Sequence, residues 1–318
     1  MRGDSTVNVL ELKNLTKKFA DFIAVDNISL NIAEGEIFGF LGSNGAGKST
    51  TINMIAGLLR ISDGEINILG KNIAKYSRFA KMNIGIVPQD IAIYEELTAL
   101  ENVRFFAGLY GLRGNALKEK ADEALQFVGL SEKQDEYPKN FSGGMKRRLN
   151  IACAIAHRPK LIIMDEPTVG IDPQSRNYIL ESIRKLNHMG CTIIYTSHYM
   201  EEVEEICSRI AIIDHGKIIA EGTKEQLIAI ITNTKDIWIE VKSTENLKLD
   251  QVKLITGVRS VQLDENVLKV NSEIDVNNLN KIIQHFINND IEISSLEEKE
   301  PNLEAVFLTL TGRNLRDL

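Results

Sequence analysis

The pattern GxxxxGK[ST] occurs at Gly42-Ser43-Asn44-Gly45-Ala46-Gly47-Lys48-Ser49-Thr50. An apolar run, Glu36–Leu41, precedes it and a helix-compatible run, Lys48–Leu59, follows it, so we expect a strand, a tight loop and a helix. Glycines let backbone N–H groups approach an anion without Cβ clashes, and a helix N-terminus favours negative charge. Lys48 and Ser49 can then reach the β- and γ-phosphates and Mg²⁺. This stretch, called the phosphate loop below, predicts the binding of a nucleoside triphosphate.

The phosphate loop alone leaves several functions open. A flexible glycine-rich turn is the alternative interpretation, which the flanking strand and helix make less favourable. Kinases, GTPases, helicase-like motors and transporter ATPases all use the same loop, so the choice among them needs other residues.

Composition restricts the class of protein. The chain has 318 residues, of which 43% are hydrophobic and 25% charged, as in ordinary globular proteins. Its net charge of −7 and pI near 5.5 argue against a broad nucleic-acid surface. Cys153, Cys191 and Cys207 lack metal-ligand spacing, and no secretory leader pattern precedes them, which favours a reducing compartment. No apolar run reaches the roughly 18 residues of a membrane span, so any membrane role requires a partner chain.

Periodicity predicts the order of elements. Val9–Leu12 and Ile28–Ile32 alternate with period two, and Asp63-Gly64 reads as a hairpin turn. The apolar residues of 98–156 recur with helical spacing, which predicts a helical insert there. Residues 160–213 alternate strand and helix, which indicates a mostly parallel sheet wrapped by helices.

A break at Thr232–Asp236 predicts a domain boundary. We assign residues 1–234 to a nucleotide-binding domain and residues 235–318 to a small, acidic α+β domain. The second segment reads as βαββαβ, which is compatible with a ferredoxin-like fold, and carries no visible catalytic pattern.

Two carboxylates end the apolar strand Leu161–Glu166. A Mg·ATP site needs such groups opposite the phosphate loop. We expect Asp165 to hold Mg²⁺ directly or through water, and Glu166 to accept a proton from the water that attacks the γ-phosphate. The alternative is that two acids simply end a strand.

The segment Phe141–Lys146 predicts another helix start. Ser142, Gly143 and Gly144, called the signature loop below, can offer a hydroxyl and exposed N–H groups to a second anion. A serine N-cap followed by loop glycines is the alternative.

Together these motifs resemble those of the ABC ATPases over about Val7–Ile231. In chain order the matches are Gly42–Thr50 with Walker A, Gln89 with the Q-loop, Phe141–Met145 with the signature, Leu161–Glu166 with Walker B, Gly170–Asp172 with the D-loop, and His198 with the switch histidine. The resemblance implies an α/β P-loop NTPase fold with a mostly parallel sheet, an antiparallel β subdomain and a helical insert.

The resemblance also implies roles for individual residues. The ATP-binding set is Phe19, Gly42, Ser43, Asn44, Gly45, Ala46, Gly47, Lys48, Ser49, Thr50, Gln89, Ser142, Gly143, Gly144 and Asp172. The catalytic set is Lys48, Glu166 and His198, and the Mg²⁺ ligands are Ser49, Gln89 and Asp165. Phe19 is expected to stack on adenine, although an aromatic residue there could equally belong to a core. His198 has a buried, helix-leading histidine as its alternative.

Membership of that family implies two partners. A second copy of the chain would pack head to tail, so that ATP lies between the phosphate loop of one copy and the signature loop of the other. An integral membrane permease, a separate chain, would dock on the helical insert and the Gln89 region. The expected location is cytoplasmic, on the inner face of the cell membrane, and nucleic acid is not expected as a partner.

One departure separates this chain from the broad family, which prefers LSGGQ where Phe141–Met145 reads FSGGM. Met145 cannot offer the polar contact of glutamine. The run Met145–Arg148 and the tail Pro301–Arg313 resemble an exporter subfamily that includes daunorubicin, bacitracin, linearmycin and sodium-efflux ATPases. The tail read alone is an amphipathic helix capped by Asn302.

Three functional hypotheses follow. The first is the ATP-hydrolysing motor of an exporter. The second is a soluble ABC ATPase acting on ribosomes or DNA, which the lack of heptads and of a second GxxxxGK[ST] pattern disfavours. The third adds a small-ligand sensor in the C-terminal domain. The transported substrate cannot be deduced, because its contacts would lie on the permease.

Overall fold

The computed structural model describes residues 7–231, 234–244, 246–273, 276–299 and 302–312. They form two compact units, the first ending at Lys224 and the second beginning at Glu225. This border lies earlier in the chain than the predicted break at Thr232–Asp236, because the helix Lys224–Ile231 groups with the second unit. Thr232 and Asn233 fall outside the described residues.

Two sheets form the body of the first unit. Its strands are β1 (Asn8–Phe19), β2 (Phe22–Ala33), β3 (Ile37–Leu41), β4 (Asp63–Ile68), β5 (Lys71–Asn72), β6 (Ile84–Val87), β7 (Leu161–Asp165), β8 (Thr192–Thr196), β9 (Arg209–Asp214) and β10 (Lys217–Gly222). A four-stranded sheet has the order β2-β1-β4-β5, and a six-stranded sheet has the order β10-β9-β3-β8-β7-β6. One apolar core includes residues of both sheets.

The six-stranded sheet carries the site, and all its neighbours run parallel except the antiparallel edge pair β9–β10. β3 and β8 are buried at every position. Central parallel strands are covered on both faces, which explains their unbroken apolar sequences. The carboxyl ends of β3, β7 and β8 lie along one edge, where the phosphate loop, Glu166 and His198 follow them in sequence.

The four-stranded sheet confirms the predicted antiparallel β structure. The predicted turn at Asp63-Gly64 is wrong, because both residues begin β4. Gly64, at φ +89°, lies opposite a bulge in β1 between Lys13 and Thr16, and a Cβ on Gly64 would lie 2.4 Å from the Asn14 carbonyl oxygen. The two-residue hairpin lies instead at Leu69-Gly70, where both φ angles are positive and Ile68 pairs with Lys71.

Helices cover the central sheet and form the insert. They are α1 (Lys48–Ile55), α2 (Ser77–Met82), α3 (Ala99–Leu109), α4 (Gly114–Phe127), α5 (Gly143–Ile155), α6 (Pro173–His188), α7 (Met200–Ile206) and α8 (Lys224–Ile231). The predicted insert, residues 98–156, corresponds to α3, α4 and α5. Thr98 and Glu101 form a reciprocal capping box at the start of α3, which satisfies two otherwise unpaired backbone donors.

The second unit contains β11 (Thr234–Val241), α9 (Leu249–Lys253), β12 (Val258–Asp264), β13 (Val267–Glu273), α10 (Leu279–Asn288), β14 (Ile293–Lys299) and α11 (Leu303–Thr311). The sheet order is β12-β13-β11-β14 and every pairing is antiparallel. This confirms the predicted ferredoxin-like βαββαβ arrangement. Ile237, Ile239 and Val241 alternate inward and share a core with Ile282 and Phe286 of α10.

Helix α11 follows the ferredoxin-like sheet. The Asn302 side chain accepts a hydrogen bond from the Ala305 backbone N–H, 3.0 Å away, as the predicted cap requires. Pro301 and Arg313, the ends of the predicted tail segment, lie outside the described residues. Within the part of the chain that the structure describes, no helix combines the length and apolar character needed to cross a bilayer.

Candidate functional site

The phosphate loop connects β3 to α1, as the sequence predicts. A Cβ on Gly42 would lie 2.5 Å from the Ile213 carbonyl oxygen, and a Cβ on Gly47, at φ +110°, would lie 2.7 Å from the Ala24 carbonyl oxygen. Only glycine fits at these two positions. The loop backbone is therefore held close against neighbouring strands, and α1 begins directly after Gly47.

Lys48 is buried inside the loop it follows. Its Nζ donates hydrogen bonds to the carbonyl oxygens of Gly42, 2.5 Å away, and Ser43, 3.1 Å away. Burial lowers the pKa of the Lys48 ammonium, and the nearby carboxylates of Glu166 and Asp165 oppose that shift. A partly desolvated cation with adaptable partners is suited to exchange those carbonyls for phosphate oxygens.

The remaining loop residues differ in accessibility. Asn44, Gly45 and Ser49 are exposed, Thr50 is partly buried, and Ala46 is buried. The Ser43 side chain is 1% exposed, and its Oγ has no hydrogen-bond partner among the described residues. A buried hydroxyl without a partner is uncommon, and it fits a loop that receives a polar group.

Asp165 ends β7 beside strand β8. The Thr196 hydroxyl donates to Asp165 Oδ1 over 2.7 Å. Burial raises the pKa of the Asp165 carboxyl, whereas the Thr196 hydrogen bond lowers it and the Glu166 charge raises it further. Lys48 contributes a compensating positive charge.

Glu166 brings three predicted site residues together. Gln89 Nε2 donates to Glu166 Oε2 over 3.0 Å, and His198 Nε2 lies 2.6 Å from Glu166 Oε1. The Glu166 backbone has φ +48° and its N–H donates to Thr196 Oγ1 over 2.9 Å. A non-glycine residue in the left-handed region costs roughly 1–3 kcal/mol, a cost that functional sites commonly carry. The carboxylate is thus fixed between an amide and an imidazole.

The signature loop begins α5. Ser142 is the N-cap, and its Oγ accepts a hydrogen bond from the Met145 N–H over 3.2 Å. Gly144 is buried, and a Cβ there would lie 2.2 Å from Ser175 Oγ, so the loop packs closely on the first turn of α6. Ser142 and Gly143 remain exposed.

Asp172 lies in the same region. It caps α6 by accepting a hydrogen bond from the Ser175 N–H over 2.9 Å, and that bond lowers the pKa of the exposed Asp172 carboxyl. Among the described residues, no hydrogen bond or ion pair joins Ser142 or Asp172 to Lys48, Glu166 or His198. One chain therefore presents a largely buried group, formed by Lys48, Glu166 and His198, and two separate, exposed, capped helix starts.

Phe19 ends β1 with 46% of its surface exposed. The Lys17 ammonium lies 4.7 Å from the centre of the ring, where a cation and the π face attract. An open aromatic face can accept a base, so adenine stacking by Phe19 stays a prediction.

Comparison with known proteins decides the family. The family model described as ABC transporter matches residues 25–169. Over 313 residues, the chain is 46% identical to the linearmycin resistance ATP-binding protein LnrL of Bacillus subtilis (strain 168), covering 97% of this chain and 100% of that protein. The chain belongs to the ABC transporter ATP-binding family.

Further relatives of this ABC ATPase agree. It is 36% identical to the Nod factor export ATP-binding protein I of Sinorhizobium fredii (strain NBRC 101917 / NGR234), covering 97% of this chain and 87% of that protein. It also matches a solved dimeric ATP-binding cassette in a post-hydrolysis state bound to ADP and Pi, with a TM-score of 0.61 and 30% identity over 67% of this chain and 98% of that chain. The predicted family, fold class and ATPase activity are confirmed.

Two buried charged residues of this ABC ATPase, both bonded to segments of the site, were not predicted from the sequence. Arg147 of α5 is buried, and its Nη1 and Nη2 donate to the carbonyl oxygens of Pro88, 2.6 Å away, and Gln89, 2.5 Å away. Burial lowers the pKa of the Arg147 guanidinium, which the Asp90 charge partly restores. Helical spacing was the sequence feature that could have predicted its burial. Arg147 lies three residues after Gly144 and four before Ile151, on the buried face of the helix.

The second is Glu202 of α7, which is 2% exposed. It lies within a run of glutamates that reads as a solvated helix face. Its spacing of four from the buried Ile206 was the only sequence sign that it faces inward.

Proposed function

We propose that this ABC ATPase works as a head-to-tail dimer that hydrolyses Mg·ATP and drives a separate membrane permease in an exporter. The observation that carries this proposal is the Glu166 carboxylate held between Gln89 and His198. Glu166 would accept the proton of the attacking water, while Gln89 and His198 orient that carboxylate. Lys48 would move from the loop carbonyls to the phosphates, where its charge opposes developing negative charge.

The side chains predicted to bind Mg²⁺ carry the oxygen donors that this ion prefers. The exposed Ser49 hydroxyl, the Gln89 amide oxygen and the Asp165 carboxylate are the hard ligands this ion prefers. Within the described ranges, no group of three His, Cys, Asp or Glu side chains is arranged to hold a metal. Mg²⁺ is usually bound through one or two carboxylates together with substrate phosphates, so such a group is not required. When bound, Mg²⁺ would neutralise phosphate charge.

The exposed signature loop supports the dimer. Ser142 and Gly143 are open to solvent at the start of α5, where backbone N–H groups and the helix dipole favour an anion. In a head-to-tail pair, each signature loop would cover the nucleotide on the phosphate loop of the other copy. ATP binding would close the pair, and hydrolysis would reopen it.

A cluster of exposed aromatic residues supports the permease interface. Tyr94 and Phe105 are 47% and 42% exposed, and their ring centres lie 5.1 Å apart. The Asn102 side chain binds both the N–H and the carbonyl of Tyr94, at 2.8 Å each, so the cluster is held rigidly on α3. Leu109 is 67% exposed on the same helix. Clustered exposed aromatic residues mark protein interfaces.

The direction of transport and the location of the protein are inferred from its relatives. LnrL is named for linearmycin resistance and the Nod factor protein for export, and each matches this chain over 97% of its length. We infer the same direction here, with the ATPase on the cytoplasmic face of the membrane beside its permease.

Affinity purification from detergent-solubilised membranes tests the proposal. The wild-type chain should recover an integral membrane protein, and Phe105→Glu should lose it, because a charge would have to be buried in the interface. Leu254→Glu is the matched control, since Leu254 is 84% exposed in the second unit and should retain the partner. Recovery of ribosomes or DNA, and never of an integral membrane protein, would contradict the exporter.

A further inference from the structure

The buried carboxylate of Glu202 collects hydrogen bonds from three hydroxyl groups. Its Oε2 accepts from Tyr195 Oη at 2.7 Å, Thr168 Oγ1 at 2.8 Å and Ser197 Oγ at 2.7 Å. Its Oε1 lies 3.2 Å from Arg176 Nε. All three hydrogen bonds converge on Oε2, whereas Oε1 accepts no hydrogen bond among the described residues and has only the Arg176 ion pair. A buried charge needs such partners, so the arrangement joins several segments at one point.

Those partners belong to the two segments that carry the catalytic residues. Thr168 lies two residues after Glu166, and Ser197 directly precedes His198. Arg176 lies in the first turn of α6, which Asp172 caps. Glu202 thus joins the Glu166–Asp172 segment to the segment of His198, independently of the direct Glu166–His198 contact.

The residues flanking His198 are held on both sides. Ser197 Oγ donates to Glu202 and also accepts a hydrogen bond from the Tyr199 N–H, 3.0 Å away. The Arg176 guanidinium lies 4.2 Å from the centre of the Tyr199 ring. Displacing Glu202 would therefore break the hydrogen bond that holds Ser197 and disturb the Ser197 contact of Tyr199.

We propose that Glu202 is a positioning residue that fixes His198 against Glu166 and couples both to the Asp172 segment. It acts through Ser197 and Thr168 and does not touch the reacting atoms. Its loss would let His198 and Glu166 move apart, and a misplacement of about 1 Å near the chemistry can cost about 100-fold in rate. The inference rests on the roles proposed above for Glu166 and His198.

The competing interpretation is that Glu202 only stabilises the fold. The two interpretations differ in what a variant changes. A positioning role predicts a fall in kcat with nucleotide affinity preserved, since none of the Glu202 partners belongs to the phosphate loop. A purely structural role predicts that kcat and thermal stability fall together while KM rises.

Steady-state ATP hydrolysis by the full chain tests the proposal, with binding of a fluorescent ATP analogue and thermal unfolding measured in parallel. We expect Glu202→Gln to lower kcat by about 10- to 100-fold while KM and the analogue's Kd change by less than about twofold. Glu205→Gln is the matched control, because Glu205 lies on the same helix and pairs with Arg184 at the surface, 2.5 Å away. That control should keep the wild-type kcat.

A second set of variants remains informative if Glu202→Gln does not fold. Ser197→Ala and Thr168→Val each remove one hydroxyl donor, and each should lower kcat without raising KM. Where Glu202→Gln does fold, adding Ser197→Ala to it should change kcat by less than about twofold, because both act through the same carboxylate. A kcat equal to that of the control, or fully additive effects, would overturn the proposal.

Glu166→Gln serves as the reference for the proposed function itself. If that variant hydrolyses ATP normally, the proposed role of Glu166 fails whatever Glu202 does. If Glu166→Gln is inactive but Glu202→Gln is normal, only the positioning role of Glu202 fails.

Discussion

The buried group around Glu166 and the signature loop use their polar atoms in opposite ways. Lys48 and Glu166 are buried; Lys48 donates to carbonyls of its own loop, and Glu166 bonds to Gln89 beyond the neighbouring strand. Ser142 and Asp172 are exposed, and each side chain caps only its own helix. The first arrangement is assembled within one chain, whereas the second keeps a face open for another molecule. The proposed nucleotide site, with one half of each kind, would account for both.

The largest expected effect tests the buried half. Glu166→Gln should lower kcat by about 10²–10⁴, because the amide cannot act as a general base, while nucleotide binding is retained. Hydrolysis and analogue binding measure the two effects separately. Glu201→Gln, on an exposed position of α7, is the control. Near-normal turnover of Glu166→Gln would remove this residue from the mechanism.

A smaller effect is expected from Gln89→Leu. It removes the amide that donates to Glu166 Oε2 but leaves the His198 contact. A hydrogen bond to a charged group contributes about 1.5–3 kcal/mol, so kcat should fall by roughly 10- to 100-fold. Gln126→Leu, on the exposed face of α4, should leave hydrolysis unchanged. Equal rates for the two variants would show that Gln89 does not orient Glu166.

In the exposed half, Ser142→Ala should change the stability of the folded chain and leave nucleotide binding by the monomer unchanged. It removes the N-cap of α5 and should lower the free energy of unfolding by about 1 kcal/mol. Affinity for nucleotide in dilute, monomeric protein should not change, because Ser142 does not contact the phosphate loop of its own chain. Denaturant unfolding and analogue titration measure these quantities. A weaker monomer affinity would mean that one chain supplies both halves of its own site.

The smallest expected effect is a difference in pH dependence between Asp165 and Asp172. The pKa of Asp165 is raised above 3.8, so its proton favours the folded state, and that stabilisation is lost as pH rises from 3.8 through the raised pKa. The pKa of Asp172 is lowered, so its stabilisation is present above 3.8 and is lost as pH falls through the lowered pKa.

Unfolding as a function of pH separates the two carboxylates. Asp165→Asn should remove the decline in stability above pH 3.8, and Asp172→Asn should remove the decline below it, while the asparagine still caps α6. Parallel curves for the two variants would contradict the assigned environments.

Much of this molecule could be predicted from local sequence. The phosphate loop, the β7 carboxylates and the ferredoxin-like order depend on glycine positions and apolar periodicity, which neighbouring residues determine. Strand β10 was missed because it is an edge strand, where only Ala220 and Gly222 are buried and the apolar alternation is weak. The Asp63-Gly64 pair reads as a turn locally, and only its pairing with the bulged part of β1 places it in a strand.

The buried charges could not be predicted in this way. Arg147 binds a carbonyl 59 residues away in the chain, and Glu202 binds a hydroxyl 34 residues away. Such contacts form only after the strands and helices have assembled. A charged residue on a helix therefore gives little local sign that it will be buried.

The most direct test of the two-half site mixes two inactive chains. Lys48→Ala disables the phosphate loop, and Ser142→Arg places a bulky cation in the signature loop. Neither should hydrolyse ATP alone. In a head-to-tail pair, a mixed dimer keeps one intact phosphate loop facing one intact signature loop. Since half of the dimers would be mixed and one of their two sites intact, an equal mixture should recover up to about a quarter of the wild-type rate. A mixture as inactive as its components would contradict a site shared between two chains.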